Sequence, residues 1–343
     1  MRILAIESSC DDTSGAVIEN SQVISNIISS QHFHKKYGGI IPELASRAHL
    51  EYISRVVKTA LESANVSIED MDAIAVTIEP GLIGSLIVGA NFAKGLSLKY
   101  NIPVIPVNHI EGHLFSGSLQ DSSLEFPYVA MVVSGGHTSL FYVKSFSEYH
   151  ILGSTVDDAA GEAFDKIATM VGLSYPGGPV IDKYGALGNP KAVEFPRSMI
   201  NSGDYNFSFS GLKTSVRYYL AKNYPTGLPK EMLNDICASA QEAIVDVLVK
   251  KSIRAALEYK AKNIIIAGGV SANSRLRNKL NNASRPKKIK MIAPEMNYCV
   301  DNAAMIGFIA EKKVINNDLS NFFDLSFTVS SNPIRAVSKK RKK

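Results

Sequence analysis

Ile3-Leu4-Ala5-Ile6-Glu7-Ser8-Ser9-Cys10-Asp11-Asp12-Thr13, continued by Ala16-Val17-Ile18, is the stretch that decides the fold. An apolar run, a polar turn and a second apolar run read as two strands joined by a turn rich in hydroxyls and carboxylates. A third strand follows at Val23–Ser29. The same grammar restarts after Pro127, with Tyr128–Val133, the turn Ser134-Gly135-Gly136-His137-Thr138, then Ser139–Val143 and Tyr149–Gly153. This recurrence predicts two related α/β halves.

Outward from each triplet, strands alternate with helices. Helical periodicity runs from Pro42 to Ala64, with Leu44, Ala48, Ile53, Val57 and Leu61 on one face. A strand at Ile74–Ile78, a small-residue helix from Ile83 to about Leu98 and a strand at Ile102–Val107 follow. The second half repeats the alternation. It has helices near Asp157–Val171 and Glu231–Glu258, a strand at Ile264–Ala267, a helix from Ala272, a strand at Ile289–Ala293 and a helix opening near Asp301. Such alternation argues α/β layers. The region from Tyr175 to about Thr226 is less regular and reads as an insertion, and Phe207–Thr214 within it looks too polar and aromatic for a simple core element.

With 343 residues, two domains are the default expectation. A hydrophobic share of 45% and a charged share of 20% suit a folded soluble protein. The net charge of +5 equals the charge of Lys339-Lys340-Arg341-Lys342-Lys343, so the body is nearly neutral. That basic tail is either a polyanion contact or a solubilising end. Three scattered cysteines, Cys10, Cys237 and Cys299, do not make a disulfide framework and fit a reducing compartment. The first strand starts at once, with no signal-peptide pattern before it, and the apolar region Ala73–Ala93 is broken by Glu79, Pro80 and glycines. A cytoplasmic protein without a membrane span is expected.

In layered α/β folds, ligands bind beyond the carboxyl ends of strands. The polar signatures fall at such places: residues 8–13, Pro80-Gly81-Leu82, the histidine pair, residues 134–138, Gly268-Gly269 and Asp301. Asn108-His109-Ile110-Glu111-Gly112-His113 puts two of the seven histidines one helical turn apart, where imidazoles can share a metal. It is not a zincin motif, because Ile110 stands where Glu must follow the first His. Asp301 either completes a metal shell or caps the helix that starts there. The paired glycines can aim backbone N–H groups at an anion, or simply make tight turns. Neither pair matches the Walker or the Rossmann pattern. Asn273 either meets a ligand or caps a helix. Asp11, Asp12 and His137 are candidates for the reacting centre, whereas Cys10 and Cys299 have no neighbouring base in sequence. The residues taken alone give an anion-binding α/β protein with a possible metal, and no reaction.

The same residues carry a family resemblance. Residues 6–13, 37–49 and 108–113 resemble motifs of the bacterial and organellar tRNA N6-adenosine threonylcarbamoyltransferases, once described as O-sialoglycoprotein endopeptidases. So do residues 134–138, 158–166, 175–179, 209–214, 268–273 and 299–302, and the match extends to about residue 310. The resemblance implies an α/β fold of the ASKHA class, shared with actin, Hsp70 and sugar kinases, with two ribonuclease-H-like domains and a central cleft. The expected division is residues 1–126 and 127–310, the latter with the insertion near 175–226. A segment 311–338 would return to the first domain, and 339–343 would form a disordered basic tail.

It implies transfer of a threonylcarbamoyl group from threonylcarbamoyl-adenylate to N6 of the adenosine 3′-adjacent to the anticodon, in tRNAs reading codons that start with A, with release of AMP. His109, His113 and Asp301 would hold one divalent metal, iron or zinc. Ser134, Gly135, Gly136, His137 and Thr138 would surround the phosphate and acyl part of the adenylate. Asp165, Gly178, Asp182 and Asn273 would contact the nucleoside, and Asp11, Asp12 and His137 would assist at the reacting centre. Implied partners are tRNA, a paralogous pseudo-enzyme subunit and a small P-loop ATPase. A carbamoyltransferase or kinase of the same fold, and a non-catalytic scaffold, are the alternatives. One departure stands out: Glu79 in Glu79-Pro80-Gly81-Leu82 replaces a usual glycine, and Glu tolerates positive φ poorly.

Overall fold

The computed structural model describes residues 1–119, 121, 124–315, 317 and 319–332, apart from the side chains of residues 296 and 297. The basic tail 339–343 and the end of the expected segment 311–338 lie outside the described residues. Two five-stranded sheets carry the chain. The first contains β1 (Arg2–Glu7), β2 (Asp12–Glu19), β3 (Gln22–Ser30), β4 (Ala73–Glu79) and β5 (Val104–Asn108), in the order β3-β2-β1-β4-β5. β1 to β3 pair antiparallel, and β1-β4 and β4-β5 pair parallel. The second contains β6 (Tyr128–Val133), β7 (Thr138–Val143), β8 (Tyr149–Ser154), β9 (Asn263–Ala267) and β10 (Lys290–Ile292), in the order β10-β9-β6-β7-β8. Its antiparallel and parallel pairs fall in the same places. The two sheets share one topology, as the repeated hairpin pattern predicts.

The helices are α1 (Pro42–Ser63), α2 (Ile83–Tyr100), α3 (His109–Phe115), α4 (Ala160–Met170), α5 (Gly177–Gly185), α6 (Ser210–Asn223), α7 (Lys230–Glu258), α8 (Ser274–Ser284), α9 (Met296–Cys299) and α10 (Ala303–Val314). Among the described residues, one compact unit takes those of Met1–Phe33, Ile40–Ser122 and Asp301–Lys343, and a second takes those of His34–Gly39 and Ser123–Val300. The return to the first unit therefore comes at Asp301, earlier than residue 311. The cause is α10, which is buried from Ala303 to Glu311 and lies against β1 and β2. Gly307 permits the approach: a Cβ there would come within 2.5 Å of Ile18 Cγ1. Glu311, 5% exposed, then accepts a hydrogen bond from the Ser21 backbone N–H at 2.9 Å.

Central strands are apolar without alternation because both faces are covered. Ile3–Ile6 and Ile264–Ile266 are fully buried. The second unit's core also absorbs the region expected as an insertion. Phe207, Phe209 and Leu212 are buried with Phe195 and Val216, so the apolar positions of Phe207–Thr214 join the core while the residues between them do not. The aromatics alternate inward, while Ser208 Oγ turns to Asp157 Oδ2 at 2.5 Å. Among the described residues, no helix is long and apolar enough to cross a membrane.

Candidate active site

β5 delivers the chain directly into α3. Asn108 ends the strand and caps the helix, its Oδ1 accepting from Ile110 N at 2.8 Å and Glu111 N at 3.4 Å. His109 and His113 then lie one turn apart, both buried, with ring centroids 4.7 Å apart and planes at 88°. Asp301 does not cap α10. Asn302 does, accepting from Met305 N at 3.1 Å, which leaves the Asp301 carboxylate to the histidines. Asp301 Oδ1 is 3.2 Å from His113 Nε2 and 3.5 Å from His109 Nε2. One ligand atom from each of the three lies within 4.8 Å of the others.

Glu7, which the sequence reading gave no role, organises this cluster. It is fully buried at the end of β1. Its Oε2 lies 3.1 Å from His109 Nδ1 and accepts from Thr77 Oγ1 at 2.6 Å, while Oε1 accepts from Ser9 N at 2.5 Å. Ser9 Oγ also lies 3.1 Å from His109 Nδ1. With Nδ1 held this way, Nε2 is the nitrogen turned toward Asp301. An imidazole whose other nitrogen meets a carboxylate is the usual arrangement of a metal-ligating histidine. Burial works against protonating His109, yet Asp301 and Glu7 raise its pKa to about 9. Burial instead lowers His113, whose Nδ1 is buried with no partner among the described residues. Two imidazoles with one carboxylate suit a divalent ion such as iron or zinc.

The turn after β1 approaches the same cluster. His49 of α1 pins it, with Nδ1 2.7 Å from Thr13 Oγ1 and Nε2 3.0 Å from the Cys10 carbonyl. Asp11 and Asp12 are half-buried. Burial, together with Asp301, Asp11 and Glu7, pushes Asp12 up to about 7 against the opposing hydrogen bond from Ser30. Burial and the nearby Asp11 hold the Cys10 thiol well above its ordinary range, which is the wrong direction for a nucleophile.

The second unit carries the remaining ligand candidates. Between β6 and β7, Ser134 N donates to the His137 carbonyl at 2.8 Å, and His137 N to Ser134 Oγ at 3.1 Å. Gly135 and Gly136 are exposed, and a Cβ at either would meet nothing within 4 Å. The Thr138 hydroxyl is spent inside the protein, accepting from Ala160 N at 2.9 Å at the start of α4. Gly268 sits at φ +84° with its missing Cβ 2.5 Å from the Val133 carbonyl oxygen. Asp165 Oδ1 accepts from Gly177 N at 2.6 Å, at the head of α5. Asp182 receives Ser274 N and Ser274 Oγ, both at 2.9 Å. Asn273 caps α8 through Leu276 N at 2.9 Å and donates to Gln241 Oε1 at 2.7 Å. Asp165, Asp182 and Asn273 therefore shape helix starts, as the capping alternative for Asn273 allowed. Gly178 has open space where a side chain would be. The structure thus brings His109, His113 and Asp301 together in the first unit, and groups the remaining ligand candidates in the second.

Glu79 does not occupy positive φ. The turn does not require glycine at position 79, whereas at Gly81 a Cβ would come within 2.5 Å of the Ser9 carbonyl oxygen.

A family model described as tRNA N6-adenosine threonylcarbamoyltransferase matches residues 22–308. Proteins with that description include one from Thermosipho africanus, 49% identical over 322 residues, covering 93% of this chain and 97% of that one. Another, from Geotalea uraniireducens, is 49% identical and covers 94% of each chain. A third, from Clostridium botulinum, is 50% identical and covers 90% of this chain and 92% of that one. Among solved structures, T. kodakarensis HypF is similar with a TM-score of 0.62 at 12% identity, over 93% of this chain and 48% of that one. Component A of (R)-2-hydroxyglutaryl-CoA dehydratase from Acidaminococcus fermentans gives 0.57 at 14% identity, over 92% and 100%. At such identities these two structures bear on fold alone, and they support an α/β fold like that of these two proteins.

Proposed function

The chain belongs to the tRNA N6-adenosine threonylcarbamoyltransferase family, and from that premise we propose how its residues divide the work. It is a transferase of tRNA modification. It moves the threonylcarbamoyl group from threonylcarbamoyl-adenylate to N6 of the adenosine 3′-adjacent to the anticodon, in tRNAs reading codons that start with A, and AMP leaves. The observation that carries the reading is the cluster of buried His109 and His113 with half-buried Asp301, and Glu7 behind His109.

His109, His113 and Asp301 would hold one divalent ion, iron in preference to zinc, which would supply positive charge to the oxygens of the acyl-adenylate. Glu7 fixes the ring of His109. Gly135 and Gly136 leave room for an anionic group to approach their backbone, and Ser134 and His137 shape that loop by the bonds between them. Thr138 acts through the loop's position, since its hydroxyl is taken by Ala160 N. Asp165, Gly178, Asp182 and Asn273 form the nucleoside end, with Gly178 offering the open surface. Asp11 and Asp12 orient or accept a proton from the incoming N6 amine, and His137 assists them. Adenine N6 is a weak nucleophile, so positioning must carry much of the rate. An unstacked loop base reaches the site without opening a duplex.

The two units are read as ribonuclease-H-like domains, supported by their shared strand order. The tail Lys339–Lys343 is read as a tRNA phosphate contact, supported by its charge. A paralogous pseudo-enzyme subunit and a small P-loop ATPase are the expected protein partners. A cytoplasmic setting is supported by three free cysteines.

Complementation of a depleted strain, with tRNA nucleosides measured by mass spectrometry, tests the reading. Wild type should restore the modified nucleoside, and His109→Ala and Asp301→Ala should reduce it at least about 100-fold. Full rescue by both variants would sink the metal-site assignment and favour a scaffold. ADP in place of AMP as product would favour a kinase-like reaction.

A further inference from the structure

We propose that Glu79 is a positioning residue for the helix that bears the metal ligands, acting through Asn108. This rests on the reading of His109, His113 and Asp301 as a metal centre. Glu79 closes β4 and Asn108 closes β5, and the ladder pairs the two residues just beyond a shift in register. Their side chains meet as well: Asn108 Nδ2 donates to Glu79 Oε1 at 3.2 Å. The other end of the same amide, Oδ1, receives Ile110 N and Glu111 N.

A side-chain amide has one donor end and one acceptor end, and a carboxylate only accepts. Glu79 therefore selects the orientation that turns Oδ1 toward the helix. The reversed amide would set an NH2 against two backbone N–H donors and turn an oxygen on a carboxylate. Asn108 is 5% exposed, so solvent substitutes poorly for the missing partner. α3 has only 7 residues, and its first is His109. A cap that shifts moves the first ligand with it. His109 is thus located twice: Glu7 holds its ring from β1, and Glu79 holds its backbone from β4 through the cap. Glu79 itself is only half-buried, so its substitution opens no core.

The test measures Zn2+ affinity of the full chain by chelator competition. Glu79→Ala and Glu79→Gly should each weaken binding about 3- to 10-fold, below the usual effect of a residue bonded directly to a ligand. Glu79→Gln keeps an accepting oxygen and should stay within about 2-fold of wild type. Asn108→Ser keeps a capping oxygen but loses the amide donor, so it should weaken binding like Glu79→Ala, and the double variant should be no worse than Asn108→Ser alone. Wild-type affinity in both Glu79→Ala and Glu79→Gly would overturn the proposal, as would additive losses in the double variant. A lowered melting temperature with unchanged affinity would overturn it too, because a purely structural role predicts that pattern. Zn2+ binding by His109→Ala equal to wild type would remove the metal reading itself, a separate result from failure of the Glu79 variants alone.

Discussion

β1 ends in Glu7 and its counterpart in the second sheet, β6, ends in Val133. The connecting turns are residues 8–11 and 134–137, equal in length within sheets of identical topology. What fills them differs. In the first unit a buried carboxylate and two buried serines stand at the turn, and Glu7 and Ser9 meet the buried ring of His109. In the second, apolar strand gives way to exposed glycines with open space above them. The same scaffold thus offers concentrated side-chain charge in one copy and accessible backbone in the other. A strand end is rigid enough to present either, so one topology can carry both by local sequence alone.

The largest expected effect lies in the second unit, where Gly268, just after β9, backs onto the end of β6. Gly268→Ala should cost about 2–3 kcal/mol in urea unfolding, since it combines positive φ with a clash on the Val133 carbonyl. Gly135→Ala and Gly136→Ala should stay within about 0.5 kcal/mol of wild type, since their space is open. Equal losses at all three would mean the exposed glycines are needed for the fold and not reserved for a ligand.

Glu7→Gln tests the first hairpin. It should lower Zn2+ affinity about 10- to 100-fold by removing the carboxylate beside His109 Nδ1. Unchanged affinity in the chelator competition would show that Ser9 and packing locate the ring without it.

A smaller effect is expected from pH. Asp12 has a folded pKa of about 7 against an ordinary 3.8. The folded state therefore holds the proton that the unfolded state has lost, and stability falls as pH rises from about 4 to 7. Each unit is worth about 1.4 kcal/mol, less what partial exposure relieves. Asp12→Asn should stabilise the metal-free protein by about 2 kcal/mol at pH 8 and change it little at pH 4. A parallel pH dependence in wild type and variant, followed by thermal unfolding, would exclude this role for Asp12.

Some of this was legible along the chain and some was not. The hairpins, the crossover helices and the histidine pair are local patterns, set by apolar periodicity and by the spacing of one helical turn. Tyr128–Val133 is a strand over the residues its apolar run marks, and α7 departs from the expected helix by one residue at its start. Phe207–Thr214 looked unlike core because polar residues stand between its aromatics, although Phe207 and Phe209 are buried together. Glu7 carried a faint signal, an acid at the end of an otherwise apolar strand, but nothing in its neighbours names His109, 102 positions away.

The class of fold, its twofold repetition and a pair of candidate metal ligands could be read along the chain, because each depends on residues near one another in it. Tertiary structure decided the rest. It brought Asp301 to the histidines by sending α10 back onto β1 and β2, and left capping to Asn302. It also assigned Asn273, Asp182 and Thr138 to helix starts, and gave Glu7 and Glu79 their partners. These outcomes turn on burial and on hydrogen-bond partners distant in sequence, which only the packed chain brings together.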